Sequence, residues 1–305
     1  MPMPHRTQMQ VIKRRLVGKD GTERIRELRA ILADLPGYRN GPYADIRKWV
    51  EAQLEQTRTR KRVVHRDSIA VRREGAAQIA FVGPPNAGKS SLLQALSDVQ
   101  IKTGDYAFTT TRPVPALTRI EGVLVQLVEI PGLIEGAHAG RGGGRPLLGV
   151  LRGADAILFC QDAAASPAGL AAVLEEVREA GIEVPALLAA TKIDDAEPST
   201  VERLRRTFPS LEILPVSVLD DESLVALRRA LFRLTGLVRV YLRGDDEPVA
   251  LRPPVTVFDV ADSIHHDLAA RCEGARLWGA SARFPGQRVG REHVLADGDE
   301  VEILG

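Results

Sequence analysis

The stretch Ile79–Leu93, IAFVGPPNAGKSSLL, decides the fold. Its apolar start, Ile79 to Val82, predicts a short buried strand, and Leu92, Leu93, Ala95 and Leu96 continue in a pattern that suits a helix. Between them Gly83, Pro84, Pro85, Asn86, Ala87, Gly88, Lys89 and Ser90 fit G-x-x-x-x-G-K-[ST], with Ser91 following. Strand, glycine-rich loop and helix together turn that match into a phosphate cradle. Glycines let backbone N–H groups converge on phosphate oxygens, and the helix N-terminus adds partial positive charge. Lys89 has the length to reach β- and γ-phosphates, and the Ser90 hydroxyl can ligate Mg²⁺. The stretch implies a nucleotide-binding protein.

Composition bounds what surrounds it. The 305 residues, 44% hydrophobic and 27% charged, suffice for one large or several small globular domains. No apolar run approaches the roughly 18 residues of a membrane span, so no membrane partner is expected. Met1 to Arg15 is polar and basic, unlike a secretory leader. Cys160 and Cys272 lie far apart without zinc-type spacing and read as reduced thiols of a cytoplasmic protein. The net charge of +1 hides an asymmetry: Met1 to Gly75 holds 18 Lys and Arg against 9 Asp and Glu, a local +9 that leaves −8 for the rest. Such an arm suits a polyanionic partner, or a surface that docks on the protein's own acidic body.

Along the chain, Ile25, Leu28, Ile31 and Leu32 predict an amphipathic helix over Asp20–Leu35, and Ile46, Trp49, Val50 and Leu54 a second from Tyr43 to about Arg58, together a helical hairpin. The basic run from Arg58 to Arg73 reads either as a solvated face or as contacts to RNA phosphates. From Ala76 to Gly236 short apolar runs alternate with helical stretches, the pattern of a mostly parallel sheet with helices on both faces. Val123–Ile130, Ala156–Cys160, Val184–Ala190 and Leu211–Val216 read as strands, and Pro167–Ala180, Val201–Phe208 and Asp221–Leu234 as helices. The last part, 237–305, reads as a small α+β module with strands at Val238–Leu242, Val255–Phe258 and Val301–Leu304 and a helix over His265–Cys272. The domain expectation is 1–75, 76–236 and 237–305.

Four further segments select the nucleotide. Phe108-Thr109-Thr110-Thr111 lies in a polar loop where a threonine, taken as Thr110, can hold Mg²⁺ while the γ-phosphate is present and release it after hydrolysis. Val128-Glu129-Ile130-Pro131-Gly132 ends a strand: Gly132 would offer its N–H to the γ-phosphate, and Glu129 would hold Mg²⁺ where P-loop enzymes usually place Asp. Thr191-Lys192-Ile193-Asp194 follows a buried strand. The Asp194 carboxylate can accept from both N1–H and the 2-amino group of guanine, whereas adenine would leave it unpaired, a cost of about 1–3 kcal/mol that favours GTP. Lys192 would lie along the base, and Thr191 keeps a hydroxyl where Asn is usual. Ser217 and Val218 end another strand, where backbone N–H groups can meet guanine O6.

These residues together resemble the Obg-type translation-factor GTPases, and most closely their developmentally regulated GTP-binding (DRG) branch. Pro131 to Ala137 and the glycine cluster Gly140 to Gly144 match the run that follows the family's switch loop. Trp278-Gly279, Phe284 to Gly290, His293-Val294-Leu295 and Asp297-Gly298-Asp299 resemble a TGS domain. The resemblance implies a cytoplasmic protein that hydrolyses GTP to GDP and phosphate and associates with ribosomes or ribosomal RNA, with a regulatory protein as a further partner. It implies catalysis around Lys89, Thr110, Gly132 and Asn86 without a water-positioning glutamine, since Leu133 follows Gly132. Asn86 matches the asparagine that helps relatives bind K⁺ beside the phosphates, and a plain spacer role fits it too. Glu129 and Thr191 depart from the family's Asp and Asn, and the stretch from Cys160 to Thr191 is too short for the helical insertion of the DRG proteins. Two alternatives stay open: an Obg-like ATPase, which Asp194 opposes, and a nucleotide-responsive scaffold with negligible hydrolysis. His265 and His266 read as surface or capping residues, and Asp220, Asp221 and Glu222 as a helix start.

Overall fold

The computed structural model describes residues 5–19, 21–35, 42–59, 71–97, 113–131, 144–197 and 199–305. Three bodies follow one another, beginning with helices α1 (His5–Leu16), α2 (Gly21–Asp34) and α3 (Pro42–Thr59). Ile12 and Leu16 of α1 share a core with Leu28, Ile31, Ile46 and Val50. The hairpin expected from the sequence is thus a three-helix unit, because α1 buries the apolar stripe that two helices would leave exposed.

The central body is a six-stranded sheet in the order β2-β3-β1-β4-β5-β6. Its strands are β1 (Ala77–Val82), β2 (Val114–Ile120), β3 (Val123–Glu129), β4 (Ala156–Asp162), β5 (Ala186–Thr191) and β6 (Glu212–Val216). Only the edge strand β2 runs antiparallel to its neighbour. β1 is buried along its whole length because alternate residues feed two cores. Ile79 and Phe81 pack under helices α4 (Lys89–Leu96) and α8 (Asp221–Thr235). Ala80 and Val82 pack under α5 (Gly144–Arg152), α6 (Ala168–Glu179) and α7 (Ser199–Thr207). β2 and α5 had no counterpart in the sequence reading. The link from β4 through α6 to β5 is a plain crossover without an inserted helical unit.

The C-terminal body carries the sheet β11-β10-β13-β7-β8, made of β7 (Val238–Leu242), β8 (Val249–Leu251), β10 (Gly274–Trp278), β11 (Gln287–Gly290) and β13 (Asp299–Leu304), plus a small pair of β9 (Val255–Thr256) with β12 (Val294–Leu295). The expected strand Val255–Phe258 is overturned: it stops at Thr256, and Val257 begins α9 (Val257–Ile264). The reason is a capping box, in which the Thr256 hydroxyl accepts from the Asp259 N–H and the Asp259 carboxylate accepts from the Thr256 N–H. The helix expected over His265–Cys272 is α10 (His266–Arg271), capped by His265 Nδ1, which accepts from Asp267 N–H at 3.1 Å.

This body sits at the end of the six-stranded sheet where β1 and β4 begin. There Asp155, with a side chain 4% exposed, receives Arg73, Arg252 and the Gln78 N–H. Arg119 reaches Glu247 at 3.0 Å, and Arg239 lies 4.6 Å over the Phe232 ring. Both cysteines are buried and free. Burial pushes the Cys160 thiol up to about 12, so it has no thiolate chemistry at neutral pH. Among the described residues, no helix is long and apolar enough to cross a membrane.

Candidate functional site

The described residues among those singled out from the sequence gather at the carboxyl ends of the parallel strands. The loop after β1 lies where the strand order reverses, with β3 on one side and β4 on the other, the position open α/β sheets use for ligands. The turn depends on two glycines. A Cβ on Gly83 would run into the Cys160 carbonyl, and Gly88 enters α4 at φ 79°, against the Thr191 side chain. Lys89 is 7% exposed and its ammonium donates to the carbonyls of Gly83 (2.9 Å) and Pro84 (2.8 Å). Burial lowers the Lys89 pKa, opposed by the charge of Glu129. A buried ammonium at the mouth of the loop suits a multiply charged anion.

The metal side is built from α4 and β3. Ser90 Oγ donates to Glu129 Oε1 at 2.7 Å. The β1–β3 register runs unbroken from Ala77 opposite Val125 to Phe81 opposite Glu129. Glu129 thus ends β3 in regular register, with its side chain reaching Ser90. Burial raises the Glu129 pKa, while Ser90 and Lys89 pull it down. A carboxylate, a hydroxyl and a neighbouring triphosphate are hard oxygen donors of the kind Mg²⁺ takes. Thr110 and Gly132 lie outside the described residues.

The base side joins three strand ends. Thr191, 4% exposed, forms a strut: its hydroxyl lies 2.9 Å from the Ala87 carbonyl and 3.1 Å from that of Gln161. That one proton ties β5 to the phosphate loop. Lys192, at φ 56°, spans from Asn86 O to Asp162 Oδ2, 2.8 Å from each. Asp194 lies in the short turn Ile193–Asp195, and its Oδ1 accepts from the Ser217 hydroxyl at 2.6 Å. Ser217's own N–H goes to Ser223 Oγ, so Ser217 acts on the base loop through its hydroxyl. Asn86 is exposed on the rim of the loop at φ 62°, with Pro84 half-buried and Pro85 exposed beside it. Ser91 follows in α4, half-buried.

Two contributors were missed from the sequence. Asp162, opposite Thr191 across the β4–β5 ladder, anchors Lys192, and no motif flags it beyond an acid at a strand end. The other is α1, whose Arg14 faces Asp194 and Asp195. Nothing in the linear order of the chain pairs these residues. Asp220 caps α8 by accepting from the Glu222 N–H at 3.1 Å, as the acidic run predicted.

Comparison with known proteins agrees with this geometry. Residues 78–192 match the family described as 50S ribosome-binding GTPase, and residues 238–305 match the TGS domain. An uncharacterized GTP-binding protein of Methanocaldococcus jannaschii is 27% identical, over 82% of this chain and 83% of its own. Ribosome-interacting GTPase 1 of Saccharomyces cerevisiae is 26% identical over 77% and 84%. Developmentally-regulated GTP-binding protein 1 of Xenopus laevis is 27% identical over 78% and 85%.

Proposed function

We propose that this chain, which joins a P-loop GTPase domain of the ribosome-binding kind to a C-terminal TGS domain, is a slow Mg²⁺-dependent GTP switch acting on ribosomes or ribosomal RNA. The observation that carries the guanine assignment is the linked set of Thr191 on Ala87, Lys192 on Asn86 and Ser217 on Asp194. It fixes the base-reading carboxylate relative to the phosphate loop. Lys89 neutralises the β- and γ-phosphates, and Ser90 with Glu129 supplies the metal's protein ligands. Thr110 and Gly132 would sense the γ-phosphate. Asn86, on the loop's rim, would help bind K⁺ beside the phosphates, offsetting charge that develops during cleavage. We take 1–75, 76–236 and 237–305 as the working parts, in a cytoplasmic protein. The ribosomal partner is suggested by the names of the relatives, and a regulatory protein would act through the same switch.

The test is phosphate release from GTP and from ATP, in K⁺ and in Na⁺, for the wild type and Asn86→Ala, with and without ribosomes. GTP-only turnover, faster in K⁺ and flattened by the substitution, is expected. Equal use of ATP would overturn the role of Asp194. Tight GTP binding without turnover under any condition would leave a scaffold.

A further inference from the structure

Two consecutive residues of α1 hold the two loops that read the base. The Arg14 guanidinium lies 3.1 Å from Asp195 Oδ1 and 3.7 Å from Asp194 Oδ2, clamping the Ile193–Asp195 turn. Lys13 is 8% exposed and pairs at 2.7 Å with Asp221, the first residue of α8, just beyond the turn that carries Ser217 and Val218. The Lys13 ammonium also lies 5.7 Å from the Trp49 ring centroid of α3. Neighbouring helix positions point about 100° apart, so one helix reaches two loops at once. The loops are already joined to each other by the Ser217–Asp194 bond.

We propose that α1 is an intramolecular brace for the base-recognition loops, with Arg14 as a positioning residue for Asp194, so that docking of the helical arm and binding of guanine nucleotide strengthen each other. The inference rests on Asp194 being the guanine-reading carboxylate.

A count of lone pairs supports this sign of coupling. An ionised carboxylate offers about four acceptor sites. Ser217 takes one on Oδ1, and the N1–H and 2-amino groups of guanine need two more. One remains on Oδ2, the oxygen that faces Arg14. Arm and base therefore share Asp194 without competing. Loops held in place before the ligand arrives lose less entropy on binding. Linkage makes the effect reciprocal, so a bound guanine tightens the arm on the body. The base is the same in GTP and GDP, so the brace separates loaded protein from empty protein. Telling GTP from GDP is left to the phosphate side. The positive arm thus has an acidic partner within its own chain.

The experiment measures affinity of the full-length protein for GDP and for a non-hydrolysable GTP analogue. The variants are Arg14→Ala, Arg14→Asp, and Arg14→Asp combined with Asp195→Arg. Arg14 is an exposed ion-pair partner, so Arg14→Ala is expected to weaken both nucleotides equally by about threefold at low salt. The loss should fade near 1 M salt, where screening is short-ranged. Arg14→Asp should lose more, and the charge swap should recover it. Arg15→Ala, whose partner Glu27 lies within the arm, should leave affinity alone. Trp49 gives an independent readout: in a Trp278→Phe background its emission should shift equally with GDP and the GTP analogue, and not with ATP. Unchanged or tighter binding in Arg14→Asp would overturn the brace, as would a change confined to the GTP analogue. Failure of the wild type to prefer guanine nucleotides would instead remove the reading of Asp194 and the brace with it.

Discussion

Replacing Thr191 by valine removes a single hydroxyl and keeps the shape of the side chain. The hydroxyl is buried and lies between the Ala87 and Gln161 carbonyls, at 2.9 and 3.1 Å, with Gly88 packed against it. Leaving buried polar groups unsatisfied costs about 1–3 kcal/mol. Across a unit of roughly 150–250 residues each kcal/mol moves the melting point by about 2–4 °C, so a drop of roughly 2–12 °C is expected. The same change unties Ala87 from β5, and GDP and GTP affinity should fall together. The assay is thermal unfolding without nucleotide, paired with a binding titration. Thr191→Ser keeps the hydroxyl and should retain affinity, losing stability only through the missing methyl, a cost of about 1 kcal/mol. Thr191→Asn, the residue usual in the family the chain resembles, should keep the tie through its amide. If Thr191→Val melts with the wild type and binds GDP as tightly, the strut does not exist. The Ser90–Glu129 and Lys192–Asn86 contacts would then have to hold the phosphate loop by themselves.

Three other outcomes follow from the same geometry. Asp194→Asn replaces an acceptor with a group that can donate to a 2-oxo base, so nucleotide competition should shift from guanosine toward xanthosine nucleotides. Glu129→Gln keeps the reach to Ser90 but removes the charge, so half-maximal GTP turnover should require much more Mg²⁺ while GDP binding without metal changes little. Burial works against the charge on Asp155, but Arg73, the Gln78 N–H and Arg252 outweigh it and hold the carboxyl below its ordinary range. A depressed carboxyl adds stability above its unfolded value, near pH 4, and loses it as pH falls through the lower folded value. Asp155→Asn should therefore show a steady deficit against the wild type from pH 7 to about pH 4 and a narrowing one as pH falls further, read by denaturant titration.

The six-stranded sheet was legible because its signals are local. An apolar run, a glycine-rich turn and a Lys-Ser pair are adjacent in the chain, and β3 to β6 are short apolar stretches with polar boundaries. β2 was missed: it is the antiparallel edge, with a half-exposed pattern that includes Pro115 and Arg119 and no motif of its own. Val257 and Phe258, the start of α9, were read as strand because Val255, Thr256, Val257 and Phe258 carry high β-propensity, while the capping signal is a single pair four positions wide. α1 is short and strongly basic, and its helical state depends on burying Ile12 and Leu16 against α2 and α3.

The sequence by itself determined the phosphate-loop motif with its flanking strand and helix, and it carried the reading of Asp194 as a guanine-selecting carboxylate. Those properties reside in residue types at fixed short spacing, where the covalent chain does the positioning. Tertiary structure decided how the parts restrain one another. Only folding brings Thr191 to Ala87, Asp155 to Arg252, and Arg14 to Asp194 across 180 positions of chain. Such contacts join strand ends and helix faces that linear order does not relate, so no local pattern announces them. The partners of Thr191 (Ala87 and Gln161) and of Glu129 (Ser90) became readable for the same reason.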